Sequence, residues 1–199
     1  MLAGFAPSED HDADATVSAA REDPSPSVRA YAVAAAARRG RRTVTARVRD
    51  LHDDAPEVRR RACQLEARSP RRSVKVLAAL EGLLGDADAW VVVAAAEALG
   101  EAGDASAVAP LGAVANDHGD ARCREAAIAA LGAIGDDAGL GFVLAGLEDK
   151  PAVRRRAVVS LAAFRGPDVE AALARAQDDR DWQVREVAQA LLDAGDGAD

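Results

Sequence analysis

Few side chains in this chain could do chemistry. Its three histidines, His11, His52 and His118, stand far apart in the sequence, and no His-Glu pair occurs to set imidazole and carboxylate together around a metal. The triplet His52-Asp53-Asp54 imitates a metal or acid-base cluster, yet it falls where one helix ends and the next is capped, and capping accounts for both acids. No phosphate-binding glycine loop, nucleophile elbow or paired-cysteine zinc spacing is present. The expectation is a chain with no catalytic residue, no metal and no cofactor.

Arginine and aspartate recur instead at constant spacing. Arg29, Arg59, Arg124, Arg154 and Arg185 each follow an apolar anchor (Val28, Val58, Cys123, Val153 or Val184), and Val92 after Val91 is the single exception. Successive anchors, Val91 included, lie 30, 33, 32, 30 and 31 residues apart. An arginine beside an apolar anchor has a packed stem, so its guanidinium needs a nearby acceptor. Asp23, Asp53, Asp86, Asp149 and Asp179 recur just ahead of the anchors and are the available carboxylates. The pattern predicts an Arg-Asp ladder between successive units, because a buried charge is normally paired in place. An arginine row that binds anions is the alternative.

The elements that position these residues are plainest in the stretch 149–178. Val153, Ala157, Val158 and Leu161 fall on one side of a helix, helix A. Asp149 precedes it as N-cap, Pro151 is tolerated in its first turn, and Gly166-Pro167 ends it. Val169, Ala172, Leu173 and Ala176 repeat the stripe on helix B, giving a helical hairpin. A fixed period of about thirty residues marks a stacked array in which each hairpin buries its stripe only against its neighbours. The predicted fold class is all-α: a right-handed α-solenoid of stacked antiparallel helix pairs, with about five repeats plus capping helices.

The run Asp-Lys-Pro-Ala-Val-Arg-Arg-Arg-Ala at 149–157 and the run Ala-Ala-Ile-Ala-Ala-Leu-Gly-Ala-Ile-Gly-Asp at 126–136 resemble short HEAT-like repeats, above all those of the phycobilin-lyase type. The resemblance covers residues 15–193 and implies a fold far more than a function. The signatures of tetratricopeptide and ankyrin arrays, which have similar periods, are absent. Among HEAT-like enzymes, deoxyhypusine hydroxylase holds a di-iron centre on repeated His-Glu motifs, and this chain has none of them.

An unbroken repeat has no internal boundary, so the 199 residues read as one repeat domain at 15–193. Residues 1–14 are expected to be a mobile acidic lead-in to a short capping helix at 15–21, and residues 194–199 a polar tail. The longest apolar run, Ala89 to Ala96, is too short to span a bilayer, and no signal segment is recognisable, so a soluble cytoplasmic chain is expected. Cys63 and Cys123 lie two repeats apart. At roughly 10 Å per helix layer, a disulfide between them is out of reach and both read as core thiols. The net charge of -8, with only two lysines, Lys75 and Lys150, suggests a surface adapted to a high-salt cytoplasm.

The charge is two-ended. Residues 21–80 hold 15 basic and 7 acidic side chains, a balance of +8, against 10 basic and 26 acidic elsewhere. The predicted partner surface is the concave face of the B helices, with Arg41, Arg42, Arg47, Arg49, Arg71, Arg72 and Lys75 at one end and Phe142 at the other. Arg47 and Arg49 fall off the predicted stripe of Val44, Val48 and Leu51. Phe142 falls opposite Leu140, Val143, Leu144 and Leu147, as a recognition knob or a filler against a neighbouring helix. The leading functional expectation is a non-catalytic scaffold that docks another protein or peptide. Nucleic-acid binding through repeats 21–80 is the runner-up, weighed down by overall acidity and by 3% aromatics. A subunit of a phycobilin-lyase-like enzyme is what the resemblance alone implies.

Overall fold

Proline and aspartate decide where the helices begin. Pro26, Pro56, Pro151 and Pro167 each sit in a first helical turn, where no intrahelical N–H bond is lost. The Asp88 carboxylate accepts from the backbone N–H of Trp90 at 2.8 Å, and that of Asp120 from Arg122 N–H at 2.9 Å, capping two further helices. Those two helices end on Gly103 and Gly135, whose φ values of 68° and 67° lie in the left-handed region that favours glycine.

The structure is a computed structural model that describes residues 9–40, 42–70 and 73–196. Its helices are α1 (Glu9–Ala20), α2 (Pro26–Arg38), α3 (Val44–Leu51), α4 (Pro56–Ala67), α5 (Val74–Gly82), α6 (Ala89–Ala102), α7 (Val108–Asp117), α8 (Ala121–Ile134), α9 (Leu140–Gly146), α10 (Pro151–Ser160), α11 (Pro167–Ala176) and α12 (Trp182–Asp196). No strand occurs among the described residues. The even-numbered helices from α2 to α12 pack each against the next as a continuous A layer. In the B layer α3 meets α5 and α7 meets α9, while α1 covers α2 at one end. The fold is an α-solenoid of antiparallel helix pairs.

Small residues bring the A helices together. A Cβ on Gly100 of α6 would lie 2.9 Å from the Cα of Ala130 on α8, so no side chain fits there. Leu99, Leu131 and Leu161, each eight residues after an anchor, are fully buried, and one apolar cluster runs from Leu51 to Ala188. A second, small cluster of Val33, Ala55 and Val58 stands apart at the N-terminal end. The anchors Val58, Val91, Cys123, Val153 and Val184 are buried, but Val28 is 39% exposed, because the first A helix has only α1 beyond it rather than another repeat.

Two boundaries differ from the expectation. The capping helix begins at Glu9 rather than residue 15, so part of the lead-in is helical. Acids in a first turn are stabilised by the helix dipole, and Asp14 is held by Arg39. At the other end α12 continues to Asp196, into the expected polar tail. The rest of the lead-in, residues 1–8, and residues 197–199 lie outside the described residues. Cys63 and Cys123 are both free and buried, and burial pushes the Cys63 thiol up to about 12. Among the described residues no helix is long and apolar enough to cross a membrane.

Candidate functional site

The recurring arginines make one contact set over and over. Arg29 Nε and Nη2 donate to the two carboxylate oxygens of Asp53 at 2.9 and 2.7 Å, while Nη1 donates to the backbone carbonyl of Asp23 at 3.0 Å. Arg59 does the same with Asp86 (2.7 and 2.9 Å) and the Asp53 carbonyl, and Arg154 with Asp179 (2.9 and 3.0 Å) and the Asp149 carbonyl. Arg124 holds Asp149 at 2.6 and 2.7 Å. Each guanidinium thus ties the turn before its own A helix to the turn before the next. The paired fork geometry is the strong form of this interaction. The same acids also accept backbone N–H groups, Asp53 from Ala55 and Asp179 from Asp181. Asp149 and Asp179 are held below the usual carboxylate range, chiefly by their bonds to Arg124 and Arg154.

The row is interrupted once, and both partners change together. Val92 stands where arginine is due and is fully buried. One repeat on, five residues before Cys123, His118 stands where the acceptor aspartate is due, and its Nδ1 accepts the Asp120 N–H at 3.1 Å, the turn-capping role the aspartates play. Arg124 accordingly donates to the His118 carbonyl at 2.7 Å. At the far end Arg185 is exposed. It donates to the Asp179 carbonyl at 2.7 Å but meets no carboxylate of a following turn among the described residues, so the expectation of a covered stem does not hold there. Asp23 opens the row by accepting from Ser25 N–H at 2.8 Å.

Two arginines of the predicted partner surface, Arg42 and Arg47, are interior, which corrects the expectation for them. Arg47, placed off the stripe of α3, is buried with Nε 3.0 Å from Glu66 Oε2. Arg42 is only 7% exposed, its guanidinium 3.0 Å from Glu66 and 3.4 Å from Asp50. Asp50 is also held by Arg21 of the capping segment. The buried face of α3 is Arg47, Asp50 and Leu51 rather than Val44, Val48 and Leu51, and Val44 is exposed. The reason is visible in the repeat. Glu66 lies eight residues after its anchor, where Leu99, Leu131 and Leu161 stand in later repeats. Arg47 is the fourth residue of its B helix, as the buried Leu77, Leu111 and Val143 are of theirs. A charged pair has replaced an apolar pair at aligned core positions, and a glutamate on a core stripe was the signal to look for its cation.

Arg49 and Lys75 are exposed, Arg49 being paired with Glu22. Phe142 is not a free knob. It is half-buried against the main core, and a Cβ on Gly112 of α7 would lie 2.4 Å from its ring, so the ring fills the space that this glycine leaves. Arg41, Arg71 and Arg72 lie outside the described residues. Among the described residues no group of three or more His, Cys, Asp or Glu side chains is arranged to hold a metal ion. What remains open to a partner on the B helices is Lys75, Ala109 and Gly141, each the second residue of its helix, and Ala171 on α11; all are exposed.

Comparison with known proteins agrees with this architecture. A designed armadillo repeat protein solved in complex with the peptide (KR)4 is similar at 19% identity, with a TM-score of 0.60 over 94% of each chain. The complex of CpcE and CpcF of phycocyanin lyase from Nostoc sp. PCC7120 is similar at 22% identity, with a TM-score of 0.66 over 96% of this chain and 79% of that one. An engineered protein aligns at 19% identity and a TM-score of 0.66 over 90% of this chain and 97% of its own. At these identities the likeness is one of fold. No curated protein matches the sequence. The family model described as HEAT repeats matches residues 13–95, 47–132, 76–152 and 117–193, which together take in the whole array, and the chain belongs to the HEAT-repeat family.

Proposed function

We propose that this chain is a non-catalytic scaffold that docks a segment of another protein across its B helices, on the concave side of the array. The observation that carries this reading is that Lys75, Ala109, Gly141 and Ala171, one on each of four successive B helices, are all exposed. A and B helices spend their stripes on stacking, and the A helices spend their arginines on the ladder, but these positions have no such duty. The small side chains of Ala109, Gly141 and Ala171 leave room for a peptide backbone to lie close. Peptide binding by a designed armadillo relative of the same fold supports the reading by analogy.

Nucleic-acid binding loses ground, since seven of the fifteen basic side chains of residues 21–80 are spent within the chain. Arg21, Arg29, Arg39, Arg42, Arg47, Arg49 and Arg59 each meet a carboxylate within the chain. A phosphate backbone is recognised by cations free to replace its counterions.

The test begins with capture and identification of the partner from native cytoplasm, with a nuclease-treated control. Binding is then measured for Ala109→Arg and Ala171→Arg, both at exposed positions where the fold tolerates bulk. Weakened binding with an unchanged melting curve is expected. Binding that survives both changes and is abolished by Arg61→Glu on α4 would place the partner on the outer face and refute the assignment.

A further inference from the structure

A cleft of about 370 Å³ opens at the C-terminal ends of α2 and α4, apart from these B-helix positions. Arg38, Arg42, Arg47, Arg68 and Ser69 line it with an apolar wall that includes Leu65, and no carboxylate of the described residues lies on its surface. Beneath it is the buried ion cluster. There Arg21, Arg42 and Arg47 face Asp50 and Glu66, which leaves one positive charge in excess among these groups. The shortage also shows at two atoms: the Arg42 side chain is more than nine-tenths buried, and its Nε–H, like that of Arg21, has no acceptor. Arg38 and Arg68 are exposed and pair with no acid among the described residues.

We propose that this cleft binds a phosphate group as its dianion, seated between Arg38 and Arg68 with Arg42 behind it. The charge count favours a dianion over a single carboxylate, because the buried excess and the two exposed guanidiniums together offer three positive charges. Helix C-termini oppose an anion, but two of them contribute only about half a negative charge each, which does not cancel three. Guanidinium forks match two oxygens of a phosphate in one plane. The cleft is larger than an inorganic anion needs and falls in the size range of small-molecule sites, so there is room for the atoms that carry the phosphate. That carrier is either a free phosphate compound or a phosphorylated side chain, and the experiment separates the two.

Calorimetric titration at matched ionic strength uses three probes: inorganic phosphate, a short Gly/Ala peptide bearing one phosphoserine, and the same peptide with glutamate in its place. Wild-type protein is expected to bind phosphate saturably and to bind the glutamate peptide at least about tenfold more weakly than the phosphoserine peptide, as loss of one good charged contact implies. R38Q/R68Q, which leaves the buried cluster intact, should weaken phosphate binding about tenfold or more with an unchanged melting curve. A phosphoserine peptide that binds about tenfold tighter than inorganic phosphate assigns the group to a partner's side chain, and equal affinities assign it to a free compound. The proposal is overturned if phosphate shows no saturable binding above chloride, if R38Q/R68Q binds as wild type does, or if the glutamate peptide binds as well as the phosphorylated one.

Discussion

The Arg47–Glu66 pair predicts a sharp departure from additivity. Both side chains are buried, at 5% and 3% exposure, and Arg47 donates to both oxygens of Glu66. Glu66→Leu alone strands Arg47 and removes an acceptor from Arg42, and breaking one side of a buried pair costs about 3–5 kcal/mol. Arg47→Met alone strands Glu66, but Arg42 remains 3.0 Å from it, so the loss should fall at the low end of that range, about 3 kcal/mol. Making both changes restores the apolar filling that Leu77 and Leu99 supply one repeat later, and removes the desolvation cost of both ions. Replacements of this kind are neutral or stabilising by about 1–4 kcal/mol, less what Arg42 loses with its Glu66 acceptor, so the double variant should regain most of the single-variant losses rather than exceed the wild type. Urea denaturation of the four proteins, run as a double-mutant cycle, reads the coupling directly. A double variant no more stable than the worse single variant would show that the pair is not the unit the repeat alignment makes it.

Four further outcomes are expected. Arg154→Ala should destabilise by about 1–3 kcal/mol, because a nearly buried guanidinium leaves Asp179 short of two bonds, whereas Arg155→Ala next to it, half exposed, should cost under about 1 kcal/mol; equal losses by chemical denaturation would refute the ladder's role. Asp149 and Asp179 have depressed folded-state values, so their contribution is present above the unfolded pKa of about 4 and is lost as pH falls through the folded value. The melting temperature should therefore drop on acidification below about pH 4, and less steeply in an R124A/R154A variant. Gly112→Ala should destabilise by about 1–3 kcal/mol through collision with the Phe142 ring, and Phe142→Leu in the same chain should recover part of the loss; no recovery would mean the two do not compete for space. Cys63, with its thiol pushed up to about 12, should label with a thiol reagent at neutral pH only as fast as the protein opens, and a rate independent of denaturant would contradict its burial.

The period, the helix pairs and the Arg-Asp spacing are all carried by local features that stand in the sequence without reference to three dimensions. A stripe at offsets of 0, 4, 5 and 8 needs only the geometry of one helix to be read. The partner surface required knowing which side of a short helix meets its neighbour, and for α3 the predicted stripe holds at Leu51 and in part at Val48 but not at Val44, while Arg47 and Asp50 turn inward. Eight residues give too little periodicity to outvote one tertiary contact, here Glu66 drawing Arg47 inward. For Phe142 the filler reading holds over the knob, a choice that its own helix could not make. Its own helix places it off the stripe, but the space it fills is made by Gly112 on another helix, which no single-helix reading can see.

The same comparison of aligned positions explains why this array tolerates change in some places and not in others. The ladder and the core are built from pairs that span two repeats, so a residue at such a position is matched to a partner about one repeat away. Where one member changes, its partner changes too: Val92 accompanies His118, and Arg47 accompanies Glu66. Restoring the first of these shows the rule at work. Val92→Arg alone puts a guanidinium at a fully buried position with only an imidazole near its expected acceptor, and should destabilise by several kcal/mol. Adding His118→Asp supplies the carboxylate that Asp53, Asp86, Asp149 and Asp179 supply elsewhere, and should recover much of that loss. If V92R/H118D denatures no later than V92R in urea, the two positions are not partners, and the interruption of the row has a cause outside the repeat.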